Sequence, residues 1–133
     1  NKNTKINDTG KIKLDNSHVG TIDIKTDTGN VDLSKVNCDS LSVKLSTGCT
    51  NLDSVIVVNN LDIKGSTGDV KLDGCDALNI NITLDTGSVK GTILSSKFFI
   101  AKSKTGRVDV PETRDGGECR ITVDTGDIII NYK

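Results

Sequence analysis

The dipeptide Thr-Gly recurs along this chain, with glycines at Gly10, Gly29, Gly48, Gly68, Gly87, Gly106 and Gly126 and threonines at Thr9, Thr28, Thr47, Thr67, Thr86, Thr105 and Thr125. The interval between successive glycines is nineteen or twenty positions throughout. A period of this length restricts a chain to stacked repeats, because one unit is too small to bury a face alone and neighbours must share an interior.

The columns of the repeat say what each unit is. Seven residues before the glycine stand Ile22, Leu41, Leu61, Ile80, Phe99 and Cys119; five before stand Ile24, Val43, Ile63, Ile82, Ala101 and Ile121. Two after it come Ile12, Val31, Val70, Val89, Val108 and Ile128, with Thr50 the exception. Four after come Leu14, Leu33, Leu52, Leu72, Val110 and Ile130, with Gly91 the exception. Apolar residues alternate with polar ones on both sides of the turn, and a period of two rich in β-branched residues marks half-buried strands. A further position, seven after the glycine, holds Val36, Val55, Cys75 and Leu94 and is expected to point inward on the return segment.

The expected fold is therefore all-β: one β-solenoid domain over residues 1–133, of about seven coils with a 19 to 20 residue repeat. Coils about 4.8 Å apart make a rod of roughly 34 Å. The corner glycine supplies a positive φ at no steric cost, and the threonine before it stacks on its equivalents as a structural ladder. Lys5 and Asn7 stand where later repeats are apolar, so the first coil is expected to be incomplete. At the other end Ile129 stands on an outward column; the last coil is also expected to be incomplete, and the C-terminal strand to form an open edge that flanking sequence or a partner covers.

Composition narrows the function classes. The 133 residues carry 17 Lys and Arg against 18 Asp and Glu, without the basic footprint of a nucleic-acid binder. Phe98, Phe99 and Tyr132 are the only aromatics, so the core is aliphatic. No apolar run approaches the roughly 20 residues that cross a bilayer, and no signal-peptide pattern occurs. The chain starts at Asn1, and an upstream signal or anchor is an expectation.

Chemistry-bearing clusters are thin, and no catalytic residue, metal site or cofactor is expected. The column two before the glycine begins with Asp8 and Asp27 but includes Lys104, which would repel calcium. Cys38, Cys49, Cys75 and Cys119 fall in four different columns, so no disulfide between coils is expected, and Cys75 and Cys119 fall on inward positions. His18, the only histidine, and Cys38 could approach one another on neighbouring returns, but a nucleophile pair also needs an orienting group and a cleft. A polysaccharide lyase or hydrolase would need clustered carboxylates and usually aromatic platforms, and the chain has no Trp.

Two outward features are candidate binding sites. Four residues before the glycine, Lys25, Lys44, Lys64 and Lys102 form a basic stripe interrupted by threonines. The stretch PETRDGGE, residues 111–118, holds the only proline, and within it Arg114 and Asp115 are candidate contacts on a projecting loop.

Asp/Ser-Thr-Gly followed by alternating aliphatics, as in KTDTGNVDL, KGSTGDVKL and TVDTGDIII, resembles a bacterial β-solenoid family classed as adhesins and of unknown function. The resemblance spans Asp8 to Ile130, and its motif builds repeats and carries no catalytic group. It implies a right-handed β-helix in an extracytoplasmic or envelope-associated domain. The function expected on that basis is a non-enzymatic surface scaffold that binds a protein or an anionic envelope or host-surface polymer, with end-to-end or edge association available to it. The alternative is an envelope-stress or signalling domain that docks a protein through a solenoid end; a carbohydrate-active enzyme comes third.

Overall fold

A computed structural model describes residues 3–8, 10–94, 98–111 and 116–132. The elements are β1 (Asn3–Asp8), β2 (Ile12–Thr28), β3 (Val31–Thr47), β4 (Thr50–Asp53), β5 (Ile56–Val57), β6 (Asn60–Thr67) and β7 (Val70–Cys75). They continue as β8 (Asn79–Thr86), β9 (Val89–Ile93), β10 (Phe98–Thr105), β11 (Val108–Asp109), β12 (Glu118–Thr125) and β13 (Ile128–Tyr132). Every strand pairing is parallel, and the described residues contain no helix. The chain is a β-solenoid, as the repeat predicts.

Each coil runs inward residues along three sides. In the second repeat these are Val31 and Leu33, then Val36 and Cys38, then Leu41, Val43 and Leu45, all buried. The first and last sides meet at the Thr-Gly corner, where Gly29, Gly48, Gly68, Gly87, Gly106 and Gly126 have φ between 141° and 145°. Glycine is required there for a second reason: a Cβ at Gly87 would fall on the carbonyl oxygen of Gly68 in the next coil. A second corner, six residues after the glycine, is left-handed at Asn16 (φ 52°), Lys35 (54°), Ser54 (56°) and Gly74 (63°).

The layers do not stack in chain order. On the side before the Thr-Gly corner the strands run β1, β2, β3, β6, β8, β12, β10; on the side after it they run β2, β3, β4, β7, β9, β13, β11. The last coil is thus inserted between the fifth repeat and the sixth. Cys119 pairs with Ile80 on one side and with Phe99 on the other, and the Gly87 amide donates to Thr125 O at 2.9 Å where chain order would offer Thr105. Burial explains the choice. Cys119, Ile121, Val123, Ile128 and Ile130 are at most 2% exposed in the inserted layer, whereas Phe99, Ala101 and Val110 of the outer layer are half-buried and Val108 is 41% exposed. The coil with the larger aliphatic payload occupies the interior, and the coil with Ala101 and Ser103 at inward positions takes the end.

Several expectations change accordingly. The rod amounts to about five turns rather than seven. The open end is β10 and β11, not the C-terminal strand, and Ile129 is half-buried in an inner layer. In the first coil the register slips by one: Ile6, not Lys5, pairs with Ile24. One residue fewer before Gly10 accounts for the slip, which puts Lys5 and Asn7 in register with the outward residues Asp23 and Lys25. Leu94 is 44% exposed, and Ile93 takes the place opposite Cys75 after a bulge in β7. The two exceptions in the columns remain inside: Thr50 is fully buried with no partner for its hydroxyl, and any side chain at Gly91 would run into Leu72.

Candidate functional site

Outward side chains are set by the same alternation that fills the core. Lys25, Lys44 and Lys64 occupy one outward column and are direct neighbours across three successive coils. The column continues with Thr83 and Thr122 before it reaches Lys102, because the inserted layer moves Lys102 to the open end. Three lysines therefore form the site, and Lys102 stands apart from them.

Neighbouring charges differ from one lysine to the next. Lys25 has Asp23 and Asp27 two residues away on its own strand, and Lys64 has Asp62 and Ser66. Lys44 stands between Ser42 and Ser46, with a lysine directly opposite on each side. Like charges directly opposite on a sheet repel, so the middle of the column is its least compensated point. A shallow groove of about 290 Å³ runs beside it, lined in part by Lys44, Lys64, Ser46, Ser66 and Gly65. Lys25 and the Asp27 carboxylate close its other end, so the part suited to an anionic group is the one where the Lys44 and Lys64 ammonium groups meet the Ser46 and Ser66 hydroxyls.

A second groove, of about 310 Å³, exists only because of the layer order. It joins Asn60, Asp62, Asn79 and Asn81 to Glu118 and Arg120. Asn79 Nδ2 donates to Asn60 Oδ1 at 3.1 Å, the Glu118 amide donates to Asn79 Oδ1 at 3.1 Å, and Arg120 Nη2 donates to Glu118 Oε1 at 3.1 Å. Asp62 Oδ1 is shut off from solvent without a hydrogen-bond partner. No column of the sequence brings Arg120 beside Asn81, since chain order places the coil of Phe98–Thr105 between them.

The open end carries the largest cavity described, about 690 Å³, with Leu84, Ala101, Ser103, Val108 and Val123 among its walls. Phe98, at the start of β10 and opposite Glu118, is 46% exposed on the same end layer. The corner threonines Thr28, Thr47, Thr67, Thr86, Thr125 and Thr105 stand in register and exposed, as a ladder. Arg114, Asp115 and Thr9 lie outside the described residues.

No disulfide joins Cys38, Cys49, Cys75 and Cys119, and Cys38, Cys75 and Cys119 are buried. Burial, with Asp39 nearby, pushes the Cys38 thiol up from 9.0 to about 11. Burial also raises Cys75, whose Sγ–H donates to Leu52 O at 3.3 Å. These are core thiols, protonated and poor nucleophiles. His18 is exposed and pairs with Asn37, whereas Cys38 pairs with Val19 and Val57, so the histidine and the thiol occupy opposite faces. The buried status of Cys38, Val57 and Ala77 was legible as a column nine residues after the glycine that the reading of the return segment passed over. Asp8 pairs with Thr26 and not with Asp27, and among the described residues no three His, Cys, Asp or Glu side chains gather as metal ligands.

Compared with known protein families, residues 3–133 match the model of Toastrack DUF4097. The chain belongs to that family. This Toastrack domain spans nearly the whole chain, and the solenoid with its out-of-order layer is the architecture it adopts here. Neither the curated proteins nor the solved structures yield a match to it.

Proposed function

We propose that this Toastrack domain is a non-enzymatic scaffold of the bacterial envelope, placed outside the cytoplasm, that holds an anionic polymer against the Lys25–Lys44–Lys64 column. The observation that carries the reading is the stack of three lysines in direct register, with Lys44 flanked by two serines where Lys25 has two aspartates and Lys64 has one. A rod with coils about 4.8 Å apart presents charge at a regular interval, which suits a repeating ligand better than a single small molecule.

Capture from bacterial envelope extract on the immobilised domain tests this reading. Binding that survives protease, falls with salt and disappears in Lys25→Glu/Lys44→Glu/Lys64→Glu supports it. Binding unchanged by the triple reversal overturns it.

A second reading rests on the open end, where Phe98 and Val108 remain 46% and 41% exposed beside an unpaired strand edge. There the domain docks a partner protein, in the manner of an envelope-stress or signalling module. Protease-sensitive capture that is lost on Phe98→Asp and retained on the lysine reversals distinguishes it from the polymer reading.

A further inference from the structure

We propose that residues 116–132 are an exchangeable wedge, and that the slot they fill between β8–β9 and β10–β11 accepts the same residues of a second copy of this chain, linking two rods. The first support is the layer order. β12 and β13 are paired on both edges, to β8 and β10 and to β9 and β11, yet among the described strands they are tied to the rest of the rod through the connection 111–115. That connection is long enough for exchange: five extended residues reach about 17 Å, some three coil spacings.

The second support is that the slot can close without the wedge. Ile80 and Phe99, Ile82 and Ala101, and Val89 and Val108 are each separated by one repeat, the same nineteen positions that pair Ile22 with Leu41 and Val70 with Val89 elsewhere in the rod. When the wedge leaves, β10 and β11 can therefore drop one layer onto β8 and β9 with every inward column still matched. The open state is a shorter rod and not a pair of bare strand edges. Phe99, Ala101 and Val110 are only half-buried in the closed state, so the cost of opening lies in the wedge itself, whose buried Cys119, Ile121, Val123, Ile128 and Ile130 are exposed until a second slot takes them in. Exchange of an identical element restores all the original contacts between two copies, which makes it a low-cost route to a dimer.

Two full-length proteins, both with Cys49→Ser, test the exchange. One carries Ile80→Cys and Cys119→Ser; the other keeps Ile80 and Cys119. Ile80 and Cys119 are direct partners on adjacent strands, within the separation a disulfide spans. Neither protein alone has both thiols, so a disulfide between positions 80 and 119 forms only if the wedge of one enters the slot of the other. The pair is mixed under mild oxidation, either as folded proteins or after joint refolding, and read by non-reducing electrophoresis and peptide mass mapping. A heterodimer joined at 80 and 119 in either arm, rising about in proportion to concentration by mass action, is the expected result. In a third protein, Ile80→Cys with native Cys119 closes the bond within one chain, shows that the substitution folds, and locks the wedge so that joining falls to background. The pair Ile82→Cys and Ile121→Cys repeats the readout one position along. Quantitative closure within one chain, with no 80–119 heterodimer in either arm, overturns the proposal.

Discussion

Cys119 sits directly opposite Ile80, two repeats earlier in the chain, and on its other side faces Phe99, only one repeat earlier. That sandwich places the last coil inside the rod and the coil before it at the end. It has energetic consequences that chain order would reverse.

Ile121→Ala should cost about 2–5 kcal/mol, since Ile121 is wholly buried between Ile82 and Ala101 and its loss leaves a cavity. Val108→Ala at the open end should cost under about 1 kcal/mol, because Val108 is already 41% exposed. Urea unfolding of the two variants checks this; equal costs would mean that the two coils are equally enclosed.

The corner glycines should differ with position. Gly87→Ala places a methyl on the Gly68 carbonyl at φ 144°, so it should cost more than about 3 kcal/mol or prevent folding. Gly10→Ala meets nothing within 4 Å and carries only the strain of φ 118°, about 1–3 kcal/mol. Thermal denaturation ranks them.

Lys35 is left-handed (φ 54°) in a column whose next-but-one member is Gly74. Lys35→Gly should stabilise the rod by about 0.5–1 kcal/mol through relief of the side-chain clash at positive φ. A rise of a few degrees in Tm is the expected readout, and a fall would show that the lysine stem packs on the surface.

Lys44→Glu should strengthen the fold at low salt by about 0.2–1 kcal/mol, because it turns two like-charge pairs into opposite-charge pairs. The same change should weaken polymer capture. Stability at two ionic strengths beside the binding assay separates the structural cost of the column from its use.

The Cys38 thiol is held up at about 11 against an ordinary 9.0. Between these values the unfolded chain has lost the proton and the folded one keeps it, so stability should be fully present below pH 9.0 and fall as pH rises toward about 11. Cys38→Val should flatten that decline in urea midpoints measured across the window. In the same range of experiments Cys49, the half-buried thiol, should react with a disulfide reagent well before Cys38, Cys75 and Cys119, which are buried.

The lysine column and the corner ladder were legible because an outward residue at a fixed distance from the glycine stays outward in every coil. Lys25, Lys44 and Lys64 needed nothing more than counting. The groove of Asp62, Asn81 and Arg120 could not be counted out, since it depends on which coil lies beside β8. The slip that pairs Ile6 with Ile24 was equally hidden, because a single residue fewer ahead of Gly10 leaves the glycine period untouched.

By itself the sequence determined the period, the corners and which residues of each coil face the core, because strand alternation and the conformational demand at Thr-Gly are local and return with every coil. That same regularity left the order of the layers open: a coil shifted by one repeat still matches aliphatic to aliphatic and glycine to glycine. Only the tertiary structure decided that order, by burying Ile121, Val123 and Ile128 inside and leaving Ala101, Ser103 and Val108 at the end, where less apolar surface is lost to water.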